Sequence, residues 1–156
     1  MLRAAIFSKD RKYRYVLKRI WDDKIKSCLF ICLNPSTANE IEDDPTIRRC
    51  IGYANSFGYG GMVMVNIFAY RSTNPKKLKK VNNPIGKENN KYIEEMCLKA
   101  DKIILAWGNN GELNNRGDIV IKELQQRYKL YCFGMNKSGQ PKHPLYLPKK
   151  TFLRKI

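Results

Sequence analysis

The chain has 156 residues, 43% hydrophobic and 11% aromatic, enough for one domain with a sizeable core and unlike a disordered tail. Thirty Lys and Arg against fourteen Asp and Glu leave a net charge of +16, clustered at 9–19, 76–80 and 137–155, which points to a polyanionic partner, most commonly nucleic acid. No apolar stretch approaches the roughly 20 residues of a membrane span, and residues 1–15 hold no signal-peptide core, so a cytoplasmic protein with no membrane partner is expected.

In chain order, Arg3–Ser8 and Tyr13–Ile20 flank Lys9-Asp10-Arg11-Lys12 and predict an N-terminal hairpin. Ser27–Leu33 is a continuous apolar run ending at Asn34-Pro35, the pattern of a strand buried on both faces of a parallel sheet. Asp44-Pro45-Thr46 opens a helix, with Asp44 as N-cap and Pro45 in the first helical position, and Gly58 closes it. Gly61–Phe68, Lys102–Trp107 and Leu130–Phe133 repeat the buried-strand pattern, while Asn89–Lys99 and Gly117–Arg127 read as helices. Asn74–Gly86 reads as an irregular surface loop. The alternation implies right-handed βαβ units. The expected fold is α/β: a three-layer α/β/α sandwich with a mostly parallel four-stranded central sheet plus the hairpin, all in one domain, 1–156.

The five cysteines, Cys28, Cys32, Cys50, Cys97 and Cys132, include no CxxC pair and fall mostly in apolar runs, as reduced, buried thiols do. With one histidine, a Cys/His zinc site is disfavoured, and no metal is expected. Walker, GxGxxG, GxSxG and HExxH motifs are absent, against P-loop hydrolysis, nicotinamide redox chemistry and zinc hydrolysis.

Ligands of open parallel sheets bind beyond the carboxyl ends of the strands. Four segments leave those ends: 33–37, 66–71, 107–110 and the loop around His143. Their polar residues therefore converge on one cleft. Asn34, between a buried strand and a proline, offers a fixed amide that can hold a water or a heterocycle, or cap a turn. Asn66, amid MVMVNIF, carries the donor and acceptor groups that read a nucleobase edge, or is a core amide bonded to backbone. Phe68, Tyr70 and Tyr53 are candidates for base stacking, although aromatics at strand ends are more often core. Arg71, Lys142 and Lys149 suit phosphate contacts; Ser36 and Thr37 suit phosphate contacts or helix capping; Asp43 is a second polar group for the cleft beside the capping Asp44. His143 stands in Gln140-Pro141-Lys142-His143-Pro144-Leu145, a rigid and positively surrounded setting suited to stabilising developing negative charge.

The segments LNPSTA, DDPTIRRC, GYGGMVMVNIFAYRSTNP, AWGNNG and GQPKHPLYLP, in this order, resemble over nearly the whole chain a bacterial and phage family, DUF1643, and more distantly the uracil-DNA glycosylase superfamily. That resemblance implies catalytic roles for Asn34, in a water-positioning motif, and His143, against the leaving base. It makes Asn66 the base reader and likens Ala106-Trp107-Gly108 to the superfamily's LLWG strand. Pro144, Leu145 and Tyr146 become neighbours entering the minor groove. Ser36-Thr37 replaces the small glycine of the mismatch-type motif, and the histidine loop lacks the serine-rich ending. The expected function is excision of a flipped pyrimidine, either uracil or a modified base such as a phage hypermodified cytosine. It needs no cofactor, is carried by a monomer, and acts on single- or double-stranded DNA. The alternatives are a non-catalytic nucleic-acid-binding module on the same scaffold, since an amide at 34 cannot act as general base, and an enzyme of free nucleotides.

Overall fold

A computed structural model describes residues 1–156. Strands β1 (Leu2–Phe7) and β2 (Arg14–Ile20) form the hairpin, followed by β3 (Ser27–Cys32), α1 (Pro45–Ser56), β4 (Gly61–Asn66), α2 (Asn89–Lys99), β5 (Lys102–Leu105), α3 (Arg116–Gln125), β6 (Leu130–Cys132) and β7 (Arg154–Lys155). All strands belong to one sheet, in the order β1-β2-β4-β3-β5-β6-β7.

The four apolar runs pair in parallel as expected, β4 with β3, β3 with β5 and β5 with β6. The expected four-stranded sheet is nonetheless too small. The hairpin is not an appendage: β2 pairs antiparallel with β4, Leu17 opposite Met64 and Ile20 opposite Gly61, and so extends the sheet. β7 adds a further antiparallel edge beside β6, although two charged residues carry no apolar pattern that would announce it. The sheet is therefore seven-stranded and mixed.

Helices cover both faces. Ile47, Cys50, Tyr53 and Ala54 of α1 pack on one face against Leu17, Phe30 and Met64; Ile93 and Met96 of α2 and Val120 and Leu124 of α3 pack on the other against Leu29, Ile31 and Val65. Each Val, Leu, Ile, Phe or Met among them, once fully buried, stabilises the fold by about 1.5–3 kcal/mol. Helix α1 starts as its sequence dictates: Asp44 accepts from the Ile47 amide at 2.9 Å and Pro45 takes the first helical position. The stretch 74–86 holds a 3₁₀ helix, Pro75–Lys80, capped by the Asn74 side chain and anchored by Leu78 alone. All five cysteines are free and buried, and burial pushes the Cys28 and Cys97 thiols up to about 12.

The basic segment 9–19 is not simply a solvated patch. Arg14 and Arg19, on β2, are 1% and 0% exposed. Arg19 is paired with Asp43 at 2.8 Å, and Arg3 joins the same carboxylate at 3.5 Å.

Candidate functional site

The carboxyl ends of β3, β4 and β5 and the loop after β6 enclose a cleft of about 550 Å³, within the ordinary range for small-ligand sites. Asn34, Ser36, Thr37, Asn66, His143, Leu145 and Tyr146 all line it.

Asn34 continues β3. Its Nδ2 donates to the carbonyls of Ser72 (2.9 Å) and Pro35 (3.1 Å), while the Ser72 amide donates back to the Pro35 carbonyl at 2.9 Å. This reciprocal latch ties the loops after β3 and β4 together. It consumes both amide hydrogens of Asn34 and leaves Oδ1 as an acceptor. An aspartate cannot make the latch, because its oxygens would oppose two carbonyl oxygens. Asn34→Asp is accordingly expected to cost about 1–3 kcal/mol, a fall of several degrees in calorimetric melting temperature. An unchanged melting temperature would show that the latch contributes nothing.

Asn66 is the last residue of β4 and 1% exposed. Its backbone is held by Asn89 of α2, which donates to the Asn66 carbonyl at 2.7 Å, and by Arg116 of α3, which donates to the next carbonyl, that of Ile67, at 3.0 Å. Its Oδ1 accepts from Arg14 Nη2 at 3.4 Å, and its Nδ2 is buried without a partner.

His143 is held against the end of β5. The Gly108 amide donates to the Pro141 carbonyl at 2.8 Å, and Gly108 takes φ +77°, so close to the imidazole-bearing residue that a Cβ there would lie 3.3 Å from His143 Cβ. Trp107 Nε1 donates to Gln140 Oε1 at 2.8 Å, and Gln140 donates to Asp118 of α3 at 3.1 Å, fixing the start of the loop. The Leu145 amide donates to His143 Nδ1 at 3.2 Å. In the neutral ring the proton then resides on Nε2, which becomes a donor. Burial lowers the His143 pKa, opposed by the charge of Asp44.

Two basic grooves adjoin the cleft. One shares Pro45 and Leu145 with it and adds Arg48, Arg49, Tyr53 and Lys149. The other shares Ser36, Thr37, Ser72 and Thr73 and adds Arg11, Lys12, Tyr70 and Arg71. Lys149 and Arg71 thus sit at the flanks rather than in the cleft.

Several expected members lie elsewhere. Phe68 is wholly buried in the core, its amide bonded to the Leu33 carbonyl at 2.9 Å, so it cannot stack on a ligand. Asp43 is held by Arg19 and Arg3 and does not line the cleft; the capping Asp44 does. Tyr70 packs edge-on against Tyr13 with centroids 5.6 Å apart. Tyr53 is core, its hydroxyl donating to the Pro148 carbonyl at 3.0 Å. Pro144 is buried, whereas Tyr146 is 95% exposed at the cleft mouth, so of the three neighbours only Leu145 and Tyr146 line the cleft. The Lys142 stem lies over Gly134, outside the cleft lining.

The residue that sequence reasoning missed is Arg14, which lines the cleft beside Asn66. Burial brings its pKa down to about 10, so it remains cationic at neutral pH. An arginine leading the apolar run YVL is the signal that could have marked it. Asn109 and Asn110 also line the cleft, at the end of β5.

No curated protein matches this chain, and no solved structure does. The family model described as "Protein of unknown function (DUF1643)" matches residues 14–145, a span that takes in every strand and helix around the cleft except β1 and β7. The chain belongs to the DUF1643 family.

Proposed function

We propose that this chain is a DNA glycosylase that draws one pyrimidine nucleotide out of DNA into the cleft and hydrolyses its N-glycosidic bond. The observation that carries this reading is the complementary polarity of the cleft. Asn34 offers a fixed acceptor oxygen and His143 a neutral N–H donor, and both line the same hollow. Cleavage sends the bonding electrons to the base and leaves a cation-like sugar. His143 Nε2–H stabilises the base anion as it forms. Asn34 Oδ1 accepts from a water and aims its oxygen at C1′; the amide takes no proton, and the departing base is the final proton acceptor. Asn66 reads the base edge. The flanking basic grooves hold the phosphates, with Leu145 and Tyr146 at the duplex, which gives affinity the salt dependence of phosphate neutralisation.

Uracil and a modified pyrimidine of phage DNA are the candidate bases; repair follows from the first and defence against phage from the second. Oligonucleotides bearing uracil, 5-hydroxymethylcytosine or its glucosylated form, incubated with the protein and then treated with alkali, test the reading. Scission at one of these bases is expected. Retarded but intact strands throughout would mark a binding module, and absence of salt-dependent DNA affinity would mark an enzyme of free nucleotides.

The histidine sets the pH profile. Its folded-state pKa lies below the usual 6.5; a proton on Nδ1 opposes the donating Leu145 amide and releases the ring from its orientation, so both activity and this group's contribution to stability are lost as pH falls through the depressed pKa. Single-turnover excision is expected to be flat from about pH 6.5 to 8 and to decline on acidification. A rate rising toward pH 5 would contradict the neutral-donor role.

A further inference from the structure

The fold buries two arginines on β2 and treats them differently. Arg19 is met by the Asp43 carboxylate at 2.8 Å. Arg14, equally buried, has no carboxylate within ion-pair distance. Its Nη1 donates to the Ala38 carbonyl at 3.1 Å and its Nη2 to Asn66 Oδ1 at 3.4 Å, while Nε has no partner. The nearest compensating charge is Asp44, whose two oxygens already accept from the Ile47 and Ala38 amides, and Arg71 and Arg19 oppose it. A buried cation without an ion-pair partner is costly, so a site that retains one favours an anion. Asn66 Nδ2 is likewise buried and unpartnered on the same wall, with its oxygen facing Arg14. This wall of the cleft therefore presents donors and one positive charge without an ion-pair partner.

We propose that Arg14 is a specificity-determining residue of the cleft, and that it and Asn66 receive a pyrimidine edge bearing acceptor oxygens and negative charge. The inference rests on the cleft being a base pocket. The charge arrives either as an acidic substituent on the base or on the ring itself as the glycosidic bond breaks.

Two pyrimidines of nearly the same shape separate charge from fit: uracil, neutral at pH 7, and barbiturate, an anion there. Calorimetric titration of the intact protein is expected to show barbiturate bound roughly tenfold more tightly, the order by which a charge-assisted hydrogen bond exceeds a neutral one. Arg14→Met is expected to abolish that preference, and Arg14→Lys to keep part of it. Should Arg14→Met fold poorly, Asn66→Asp supplies the missing carboxylate beside Arg14; it is expected to melt no lower than the wild type and to lose the preference. Equal binding of the two pyrimidines, no binding of barbiturate, or a preference untouched in the folded variants would overturn the proposal. Excision from duplexes with 5-carboxylcytosine or 5-hydroxymethylcytosine distinguishes the sources of charge: an Arg14-dependent advantage for the carboxyl base assigns it to a substituent, and equal rates with the barbiturate preference intact assign it to the ring. Barbiturate bound through Arg14 without abasic sites in any DNA would leave this inference standing and remove the glycosylase reading. Excision unaltered in Arg14→Met would do the reverse.

Discussion

Replacing His143 with alanine is expected to lower single-turnover base release by about 10²–10³-fold, the usual effect of removing one preorganised donor from a developing anion. The imidazole is held in orientation from two sides. Gly108 packs against its Cβ, and the Leu145 amide occupies Nδ1, so Nε2–H has no local partner to satisfy and is available to the ligand. On the proposed reading the phosphates are held by other groups, chiefly the arginines and lysines of the flanking grooves, so the DNA dissociation constant from a salt-controlled fluorescence anisotropy titration is expected to change little. Equal turnover by the variant, measured as abasic ends against time, would remove His143 from the chemistry. A parallel loss of DNA binding would instead make it a structural anchor of the loop.

The second large effect concerns what holds that loop. Trp107 is 1% exposed, and its indole packs so closely on Gly111 and Gly117 that a Cβ at Gly111 would clash with the ring. Through Nε1 it also holds Gln140, three residues before His143. Trp107→Ala removes a fully buried aromatic and leaves Gln140 Oε1 unsatisfied, at a cost of about 3–5 kcal/mol, or roughly 6–20 °C in melting temperature. Excision is expected to fall as well, because the loop loses its anchor. Trp107→Phe retains much of the packing but not the hydrogen bond and is expected to lie between. Thermal unfolding followed by circular dichroism measures both variants; a drop under about 2 °C for the alanine variant would show that the indole does not support the site.

The sequence made the parallel core of the fold legible because strands buried on both faces must be apolar through their length, and Ser27–Cys32, Gly61–Asn66, Lys102–Leu105 and Leu130–Cys132 are apolar but for a terminal residue in the first three. It concealed the full sheet because pairing between β2 and β4, some 45 residues apart, is decided by edge hydrogen bonds that leave no local pattern. The convergence of Asn34, Asn66 and His143 followed from the rule for strand ends and needed no side-chain detail. Details of direction did not follow from it. Phe68 and Asn66 stand two residues apart at one strand end, yet one enters the core and the other the cleft. Arg14 was hidden in a charge count that treats every arginine as solvated, and Asp43 looked available because its partner, Arg19, is distant in sequence.

On the proposed reading one extruded nucleotide occupies this cleft between Asn34, Asn66 and His143. A crystal structure of the wild-type protein with a duplex carrying the excised nucleotide as its 2′-fluoro derivative, which slows departure of the base, tests it most directly. That nucleotide is expected to be rotated out of the stack, its base edge within hydrogen-bond distance of Asn66 and of His143 Nε2. A duplex bound with that base still stacked and the cleft empty would contradict it.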